Sequence, residues 1–227
     1  MRLNKLRILC AAMSVLLVLS AVGCTGGRFV GLSEEEISKQ VRLDIAVGVD
    51  AVEYLDTLQK QGWKLEKDIE YNRSMSLLPG RVELSCGDIM LGVSLDIDHA
   101  ASIDGAEADG VEHIDSYRSK YWVIKGIESI KITSSRKVAI DADSKKVPEN
   151  FTLQRTIEDA VTKGDTIAQL EAVITPMGFI REDDGRVCTY RMDNYTLTVN
   201  PMQQSVTGET AIESIDIEYS ELTSFAK

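Results

Sequence analysis

The chain has little of the chemistry that enzymes need. Only two histidines, His99 and His113, occur among 227 residues. There is no His-Glu-x-x-His zinc motif, no Gly-x-Ser-x-Gly nucleophile turn and no glycine-rich phosphate loop. A serine or cysteine nucleophile also needs a base and an oxyanion donor pair, for which the sequence has no recognisable pattern. The sequence therefore predicts a protein that is not an enzyme and that binds no cofactor.

Positive charge is scarce as well. The 25 lysines and arginines are outnumbered by 36 aspartates and glutamates, which gives a net charge of −11 at pH 7. Nucleic acids and bare anionic lipid surfaces repel such a chain, so we exclude nucleic acid as a partner. The acidity serves either solubility or the recognition of a basic partner.

The most extended apolar run is close to the N-terminus. Residues 8–19 form an apolar core that follows a basic start and is too short to span a bilayer comfortably. This pattern is typical of an export signal, here residues 1–23. Ala21-Val22-Gly23, directly before Cys24, resembles the lipobox of bacterial lipoproteins, in which the cysteine is acylated and becomes the mature N-terminus. Ordinary secretion with an incidental cysteine is the alternative.

Removal of residues 1–23 leaves 204 residues and a net charge of −14, because the signal carries three basic residues and no acidic ones. Two or three acyl chains on Cys24 are enough for stable membrane attachment. Residues 24–32 contain three glycines and suit a short tether. We therefore expect an extracytoplasmic lipoprotein of the bacterial cell envelope, anchored in a membrane that the sequence does not identify.

A duplication organises the rest of the chain. Residues 45–63 have a second copy at 161–179, at a constant offset of 116 residues. Each copy reads as a capped helix with one apolar face, preceded by a pivot glycine (Gly48 or Gly164) and followed by a left-handed glycine and an aromatic residue. Residues 127–132, Ile-Glu-Ser-Ile-Lys-Ile, likewise have a twin at 212–217, Ile-Glu-Ser-Ile-Asp-Ile.

Each copy is flanked by further elements. Ser33 and Glu36 form a capping box that opens a helix to about Leu43, and residues 151–161 are its counterpart. Alternating patterns predict strands. We expect an α+β fold of two tandem repeats, each with two helices on a three- to four-stranded antiparallel sheet. The boundaries are 33–133 for the first repeat, with an acidic insertion near 98–119, 134–150 for a linker and 151–227 for the second repeat.

The second repeat resembles a known family. Residues 161–166, Val-Thr-Lys-Gly-Asp-Thr, are followed by Leu170, Ile174 and Pro176, and residues 195–199 and 212–215 follow the family's strand pattern. They resemble the BamE-like (SmpA/OmlA) lipoproteins and the β-lactamase inhibitor protein, whose fold of two helices and a small sheet occurs singly or as a tandem pair. The resemblance covers residues 151–219 best. It implies a binding or assembly-supporting envelope protein without a catalytic centre.

The insertion contains the candidates for a metal site. His99 and His113 lie there with several carboxylates, and Asp98 and Asp104 are the carboxylates that we consider with them as metal ligands. The spacing matches no known motif. We therefore expect a mobile acidic surface loop without metal, and a metal site is the alternative interpretation.

Two further groups of residues suggest roles. Tyr117 and Tyr121 border the insertion and are candidates for a binding surface, whereas Trp122 is expected to pack in the core. Cys86 and Cys188 either form a disulfide or remain two separate thiols. Alignment of the repeats by their Gly-Arg-Val motifs predicts that one thiol faces the helices and that the other faces away.

The function predicted from these features is that of a lipid-anchored envelope protein that presents an acidic sheet surface. Its partner would be another protein or a cell-wall component, and it would act as a non-catalytic binding or assembly module. The alternatives are a metal-dependent extracytoplasmic enzyme and an inhibitor of a secreted enzyme.

Overall fold

The computed structural model of the chain describes residues 29, 31–46, 49–72, 80–141, 143, 151–182, 188–202 and 210–225. The helices are α1 (Glu34–Ala46), α2 (Ala51–Lys60), α3 (His99–Ala108), α4 (Thr152–Ala160) and α5 (Ile167–Ile174), the last followed by a 3₁₀ turn at Thr175–Met177. The strands are β1 (Lys64–Lys67), β2 (Tyr71–Asn72), β3 (Arg81–Cys86), β4 (Ile89–Ile97), β5 (His113–Ile114), β6 (Ile124–Lys137), β7 (Ile180–Arg181), β8 (Cys188–Met192), β9 (Tyr195–Pro201) and β10 (Ile212–Ser224).

Helix starts follow the predicted capping patterns. At α1 the Ser33 amide donates to the Glu36 carboxylate at 2.8 Å, and the Glu36 amide donates to the Ser33 hydroxyl at 3.3 Å. Thr166 and Gln169 form the same reciprocal pair at α5, and Asp50 accepts from two amides of the first turn of α2. These caps satisfy donors that have no partner inside the helix.

The predicted helix exits are also confirmed. Gly62 and Gly178 adopt left-handed φ values of 102° and 104°, and the rings that follow them, Trp63 and Phe179, are buried. A left-handed residue turns the chain back over the helix that it ends, and glycine reaches that conformation without a Cβ clash. The aromatic side chain thereby closes the end of each helix against the core.

Eight strands form one antiparallel sheet in the order β1-β3-β4-β6-β10-β9-β8-β7, and β2 pairs separately with β5. The first half of the chain supplies four neighbouring strands and the second half supplies the other four. Strands β6 and β10 join the halves through nine residue pairs, from Lys137–Asp216 to Ser129–Ser224. The predicted α+β class is confirmed, but the sheets of the two halves are continuous because β6 pairs along both of its edges.

The seam between β6 and β10 has a symmetric register. Both strands contain the sequence Ile-Glu-Ser-Ile, and its glutamate, Glu128 or Glu213, lies at a shift in register against the neighbouring strand of the same half. The two glutamates are separated by 85 residues. Ser134 and Tyr219 are separated by the same number and pair with each other across the seam. A two-fold axis through this pair therefore exchanges the two strands.

The pivot glycines can be compared only in part. Gly164 has a left-handed φ of 96°, and its amide donates to the Ile212 carbonyl at 2.9 Å. Gly48 lies outside the described residues. Gly164 therefore lies between α4 and α5 in a left-handed conformation, and its amide is bound to the first residue of β10.

One face of the sheet carries the core. Apolar side chains alternate along the strands with polar ones, and the apolar set is buried beneath the helices. The buried residues on this face include Val82, Leu84, Leu91, Val93, Ile130, Ile132, Tyr190, Leu197, Val199, Ile215 and Ile217. Within the part of the chain that the structure describes, the helices lie on this face, and no other element lies on the opposite face.

The insertion and the linker differ from expectation. Instead of forming a mobile loop, the insertion contains α3, which begins at the cap residue Asp98 and docks through the buried residues Ser102 and Ala106. The Ser102 hydroxyl donates to the Asp98 carbonyl at 2.7 Å and accepts from the Val123 amide at 2.9 Å. The predicted linker starts inside a strand, because Ser134 to Lys137 complete β6; residues 142 and 144–150 lie outside the described residues.

Two glycine substitutions should have opposite effects on stability. Gly178→Ala places a Cβ at φ 104°, and we expect it to lower the free energy of unfolding by about 1–2 kcal/mol. Gly105→Ala lies inside α3 with no atom within 4 Å of the added Cβ, and we expect a gain of about 0.5–1 kcal/mol. Urea denaturation followed by circular dichroism measures both. Equal effects of the two substitutions would contradict the assigned conformations.

Candidate functional site

The metal-ligand candidates lie apart from one another. Asp98 caps α3 and pairs with Lys125 at 3.0 Å, while His99 is the first residue of that helix. Asp104 is exposed on α3, and His113 is exposed on β5. Within the described part of the chain, no three His, Cys, Asp or Glu side chains are grouped closely enough to hold a metal ion. These residues therefore supply no ligand set for the alternative of a metal-dependent enzyme.

Tyr117 is a packing residue and not a surface contact. Its ring is fully buried, and its hydroxyl donates to Asp56 at 2.6 Å and accepts from Gln59 at 2.6 Å. Burial, followed by the bond to Asp56, raises the pKa of Tyr117, and the same bond lowers the pKa of Asp56. Arg118 completes the group with an ion pair to Asp56 at 2.7 Å. This group ties the end of the insertion to α2.

Tyr121 and Trp122 also face inward. Tyr121 is half-buried, and its hydroxyl donates to Asp109 at 3.0 Å while the Lys120 ammonium lies 4.7 Å from its ring centroid. Trp122 is 7% exposed, which confirms its predicted place in the core. A surface role for Tyr117 is therefore wrong, because its ring is buried, whereas Tyr121 is half-buried and its place in a binding surface stays a prediction.

Cys86 and Cys188 are separate, half-buried thiols. Both lie on the helix-covered face, since Cys86 continues the buried series Val82 and Leu84, and Cys188 shares the face of Tyr190. The prediction of opposite faces is wrong. The prediction aligned the two halves by their Gly-Arg-Val motifs. The hairpin turns Gly87–Asp88 and Asp193–Asn194 instead correspond at an offset of 106 residues, which is one more than the offset of those motifs. A shift of one residue reverses the face to which a strand's side chains point.

The predicted lipid site is not among the described residues. Cys24 and the export signal belong to residues 1–28, which lie outside them. None of the helices that the structure does describe has both the length and the apolar content required to cross a bilayer.

A buried charge pair lies beside the seam. Arg136 of β6 points to the helix-covered face, and its guanidinium bonds to the Glu34 carboxylate at the start of α1. Both side chains are less than a tenth exposed, and the Ser134 hydroxyl donates to the same carboxylate at 2.8 Å. The guanidinium also stacks 3.7 Å from the ring centroid of Phe151, which precedes α4. Arg136 thereby connects the seam to the first turns of helices from both halves.

A cavity of about 250 Å³ opens next to this pair. The first turns of α1 and α4 line it, together with Arg136, Phe151, Tyr195 and Ile217. Its carboxylates already have partners: Glu34 bonds to Arg136, and Glu35 accepts from the Tyr195 hydroxyl at 2.6 Å. Burial, followed by the bond to Glu35, raises the pKa of Tyr195.

The cavity lacks the groups of a nucleophilic site. Ser33 and Thr152 line it with hydroxyl groups, but both histidines of the chain lie in the insertion. A hydroxyl without a neighbouring base is a poor nucleophile. The cavity can hold a small polar group. The residues around it hold the first turns of α1 and α4 against the sheet.

The open side of the sheet is the largest feature that sequence reasoning described incorrectly. We call it the outer sheet face: the side chains of the eight-stranded sheet that point away from the helices. Short side chains that carry hydroxyls alternate on it with charged ones. The hydroxyl-bearing residues include Ser85, Ser94, Ser129, Thr133, Ser135, Thr189, Thr196, Thr198, Ser214, Ser220 and Ser224. Leu222 and Ile180 are its large exposed apolar residues.

Charges of both signs are interspersed on the outer sheet face. Its basic residues are Lys64, Lys67, Arg81, Lys131, Lys137 and Arg191, and its acidic residues include Glu66, Glu83, Asp96, Asp216 and Glu218. The expected acidic sheet surface is therefore wrong. Acidity is concentrated in the insertion, where residues 98–115 contain six carboxylates and no lysine or arginine.

Comparisons of the chain with models of protein families, with curated proteins and with solved structures find no match. Function is therefore inferred from the geometry of this chain. Two features could serve it: the cavity beside Arg136 and the outer sheet face. The cavity is small and its charged groups are paired, whereas the outer sheet face is broad and uncovered.

The charge pair at the cavity can be tested by a double-mutant cycle. Glu34→Gln leaves the buried Arg136 with only the exposed carboxylate of Asp88, at 3.4 Å, and we expect a loss of about 3 kcal/mol in the free energy of unfolding. Glu34→Gln combined with Arg136→Met removes both charges and should recover most of that loss. Urea denaturation measures each variant, with the exposed Glu218→Gln as a near-neutral control. Additive losses in the double variant would contradict a coupled pair.

Proposed function

We propose that the protein is a lipid-anchored component of a bacterial cell envelope that binds another protein without catalysing a reaction. The outer sheet face is its binding surface. The observation that carries this proposal is an eight-stranded sheet whose helices, within the described residues, lie on one side, while the other side carries hydroxyl groups interspersed with charges of both signs.

The face is large enough for a specific interface. Eight strands at ~4.8 Å spacing and ~23 Å of strand length give about 800 Å², which is the area that one partner buries in a standard complex. Serine and threonine side chains lose little conformational entropy when they are covered, in contrast to lysine or glutamate. The positions that carry serine or threonine on this rigid sheet are therefore already arranged for contact.

The composition of the face favours a protein over a wall glycan as the partner. Among the described residues, every aromatic ring lies on the helix side of the sheet or within the loops that pack there, and none projects from the outer sheet face. Sugar-binding faces use exposed aromatic rings for stacking, since a ring presents a flat apolar surface with a polar edge. Interspersed charges and hydroxyls instead suit a polar protein surface, whose own side chains supply the apolar anchors.

A duplicated α+β module underlies this surface in our proposal. In support, each half runs through two helices and four strands of the main sheet in the same order, and the shifts in register at Glu128 and Glu213 correspond. The module order agrees with what the resemblance to BamE-like lipoproteins and the β-lactamase inhibitor protein implies. Joining two such modules at their last strands doubles the width of the face.

The envelope location is supported by the sequence before the folded part. A basic start, an apolar core and small residues directly before Cys24 give the order that signal cleavage and lipid transfer require. A membrane anchor confines the protein to a surface where envelope proteins are concentrated, which raises its effective concentration near a partner.

Lipid attachment at Cys24 predicts a specific chemical product. Expressed in a bacterial host, the full-length chain should begin at Cys24 and carry a diacylglycerol thioether, and Cys24→Ser should not be lipidated. Intact-mass spectrometry of the detergent-extracted protein measures both. Inhibition of the lipoprotein signal peptidase should cause accumulation of the uncleaved precursor with its 23-residue signal. A mature wild-type protein without lipid would contradict the proposal.

The binding surface can be mapped by photocrosslinking in the native envelope. A photoreactive amino acid at Thr133, Thr196 or Ser220 of the outer sheet face should form a discrete adduct with one protein. The matched positions Lys39 and Ala172 are exposed on the helix side and should give no such adduct. Adducts from the helix side alone would move the interface away from the sheet.

The adduct also discriminates between modes of action. Mass spectrometry of the captured protein identifies either a membrane-assembly partner or a secreted enzyme. In the second case, the purified chain should inhibit that enzyme in solution, and Thr133→Trp on the outer sheet face should abolish inhibition without loss of folded structure. In the first case, Thr133→Trp should remove the adduct that a photoreactive residue at Thr196 or Ser220 forms, and it should leave the activity of secreted enzymes unaffected.

A further inference from the structure

Phe29 is the first residue that the structure describes. Its ring is 2% exposed and packs edge-on against Trp63, with 5.4 Å between the ring centroids. The Phe29 carbonyl accepts a hydrogen bond from the Leu32 amide at 3.3 Å. Trp63 directly precedes β1, the outermost strand of the sheet on this side. The chain therefore joins the folded body at the edge of the sheet formed by β1.

The distance from Cys24 to this edge is short. Residues 25–28 separate Cys24 from Phe29, and five residue steps extend over at most about 17 Å. The sheet is about twice as wide, since seven spacings of ~4.8 Å between β1 and β7 give roughly 34 Å. A lipid on Cys24 therefore holds the β1 edge near the bilayer, and the tether is too short to bring the β7 edge there in its place.

Charge at the β1 edge favours contact with lipid headgroups. Residues 60–67 contain Lys60, Lys64 and Lys67, all exposed, and the single carboxylate Glu66. Glu66 already accepts from Lys64 at 2.9 Å and from the Ser85 hydroxyl at 2.6 Å. This net positive segment contrasts with a mature chain of net charge −14. Lysines next to an anionic surface are attracted to it.

We propose that the β1 edge, with Lys60, Lys64 and Lys67, is the surface that the protein turns toward an anionic lipid bilayer. The sheet then stands away from the membrane, with β7 at its far side. This inference rests on the proposed attachment of lipid to Cys24. It deepens the proposed function, because an upright sheet leaves the outer sheet face open to a partner at its own height above the membrane.

The orientation can be measured by quenching. The lipidated full-length protein, with Cys86→Ala and Cys188→Ala, carries an environment-sensitive fluorophore at Lys64→Cys in β1 or at Ile180→Cys in β7. Vesicles of phosphatidylethanolamine and phosphatidylglycerol contain a lipid with a nitroxide on its headgroup. We expect quenching at residue 64 to exceed quenching at residue 180 by about threefold or more, because the two strands are roughly 34 Å apart. Circular dichroism confirms that each labelled variant is folded.

Each outcome decides a separate point. Equal quenching at both sites, stronger quenching at residue 180, or no quenching at either site of a lipidated protein would overturn the orientation and leave the proposed function intact. A protein whose mass shows no lipid on Cys24 would overturn the attachment and the orientation together.

The lysines have their own control. With the label at residue 64, Lys60→Gln with Lys67→Gln should reduce the difference between the sites by about half on anionic vesicles and leave it unchanged on phosphatidylcholine vesicles. Lys131→Gln with Lys137→Gln removes the same charge from the outer sheet face. It should leave the difference in quenching between the sites unchanged on both kinds of vesicle. Equal effects of the two double variants would overturn the role of the edge lysines.

Discussion

The pairing of β6 with β10 is the constraint on which the rest of the structure depends. Nine residue pairs make the strands of both halves one sheet, and within the described residues the helices of both halves pack on the same face of it. The register also decides which side chains are buried, because a slip of one residue would turn Ile132 and Ile217 toward solvent. Arg136 adds a polar restraint, since it binds Glu34 of α1 from a strand of the seam.

Features set by a few neighbouring residues could be predicted from the sequence. The capping pairs Ser33–Glu36 and Thr166–Gln169 form as expected, because their partners are three residues apart and no other part of the fold is needed. The left-handed conformation of Gly178 and the turn at Asp193–Asn194 are local in the same way. The alternation that predicts strands also identifies which strand face carries the core.

Features set by distant contacts could not be predicted. Tyrosine is a residue type that often anchors binding surfaces, but the Tyr117 hydroxyl donates a hydrogen bond to Asp56, which lies 61 residues away in the sequence. Glu34 reads as an ordinary acidic residue of a first helical turn, and its burial depends on Arg136, 102 residues later. The sheet faces on which Cys86 and Cys188 lie depend on how the two halves are aligned. Alignment by the Gly-Arg-Val motifs and alignment by the hairpin turns differ by one residue. The charge of the outer sheet face likewise required the register of every strand.

The seam has a consequence for any chain that contains only one half. Strands β6 and β10 are 14 and 13 residues long, whereas the strands that remain at the two outer edges have four and two. An isolated half would expose a long row of unpaired backbone donors and acceptors, which is a template for self-association. In the intact chain each long strand covers that row of the other, so both of these long edges are paired within one molecule.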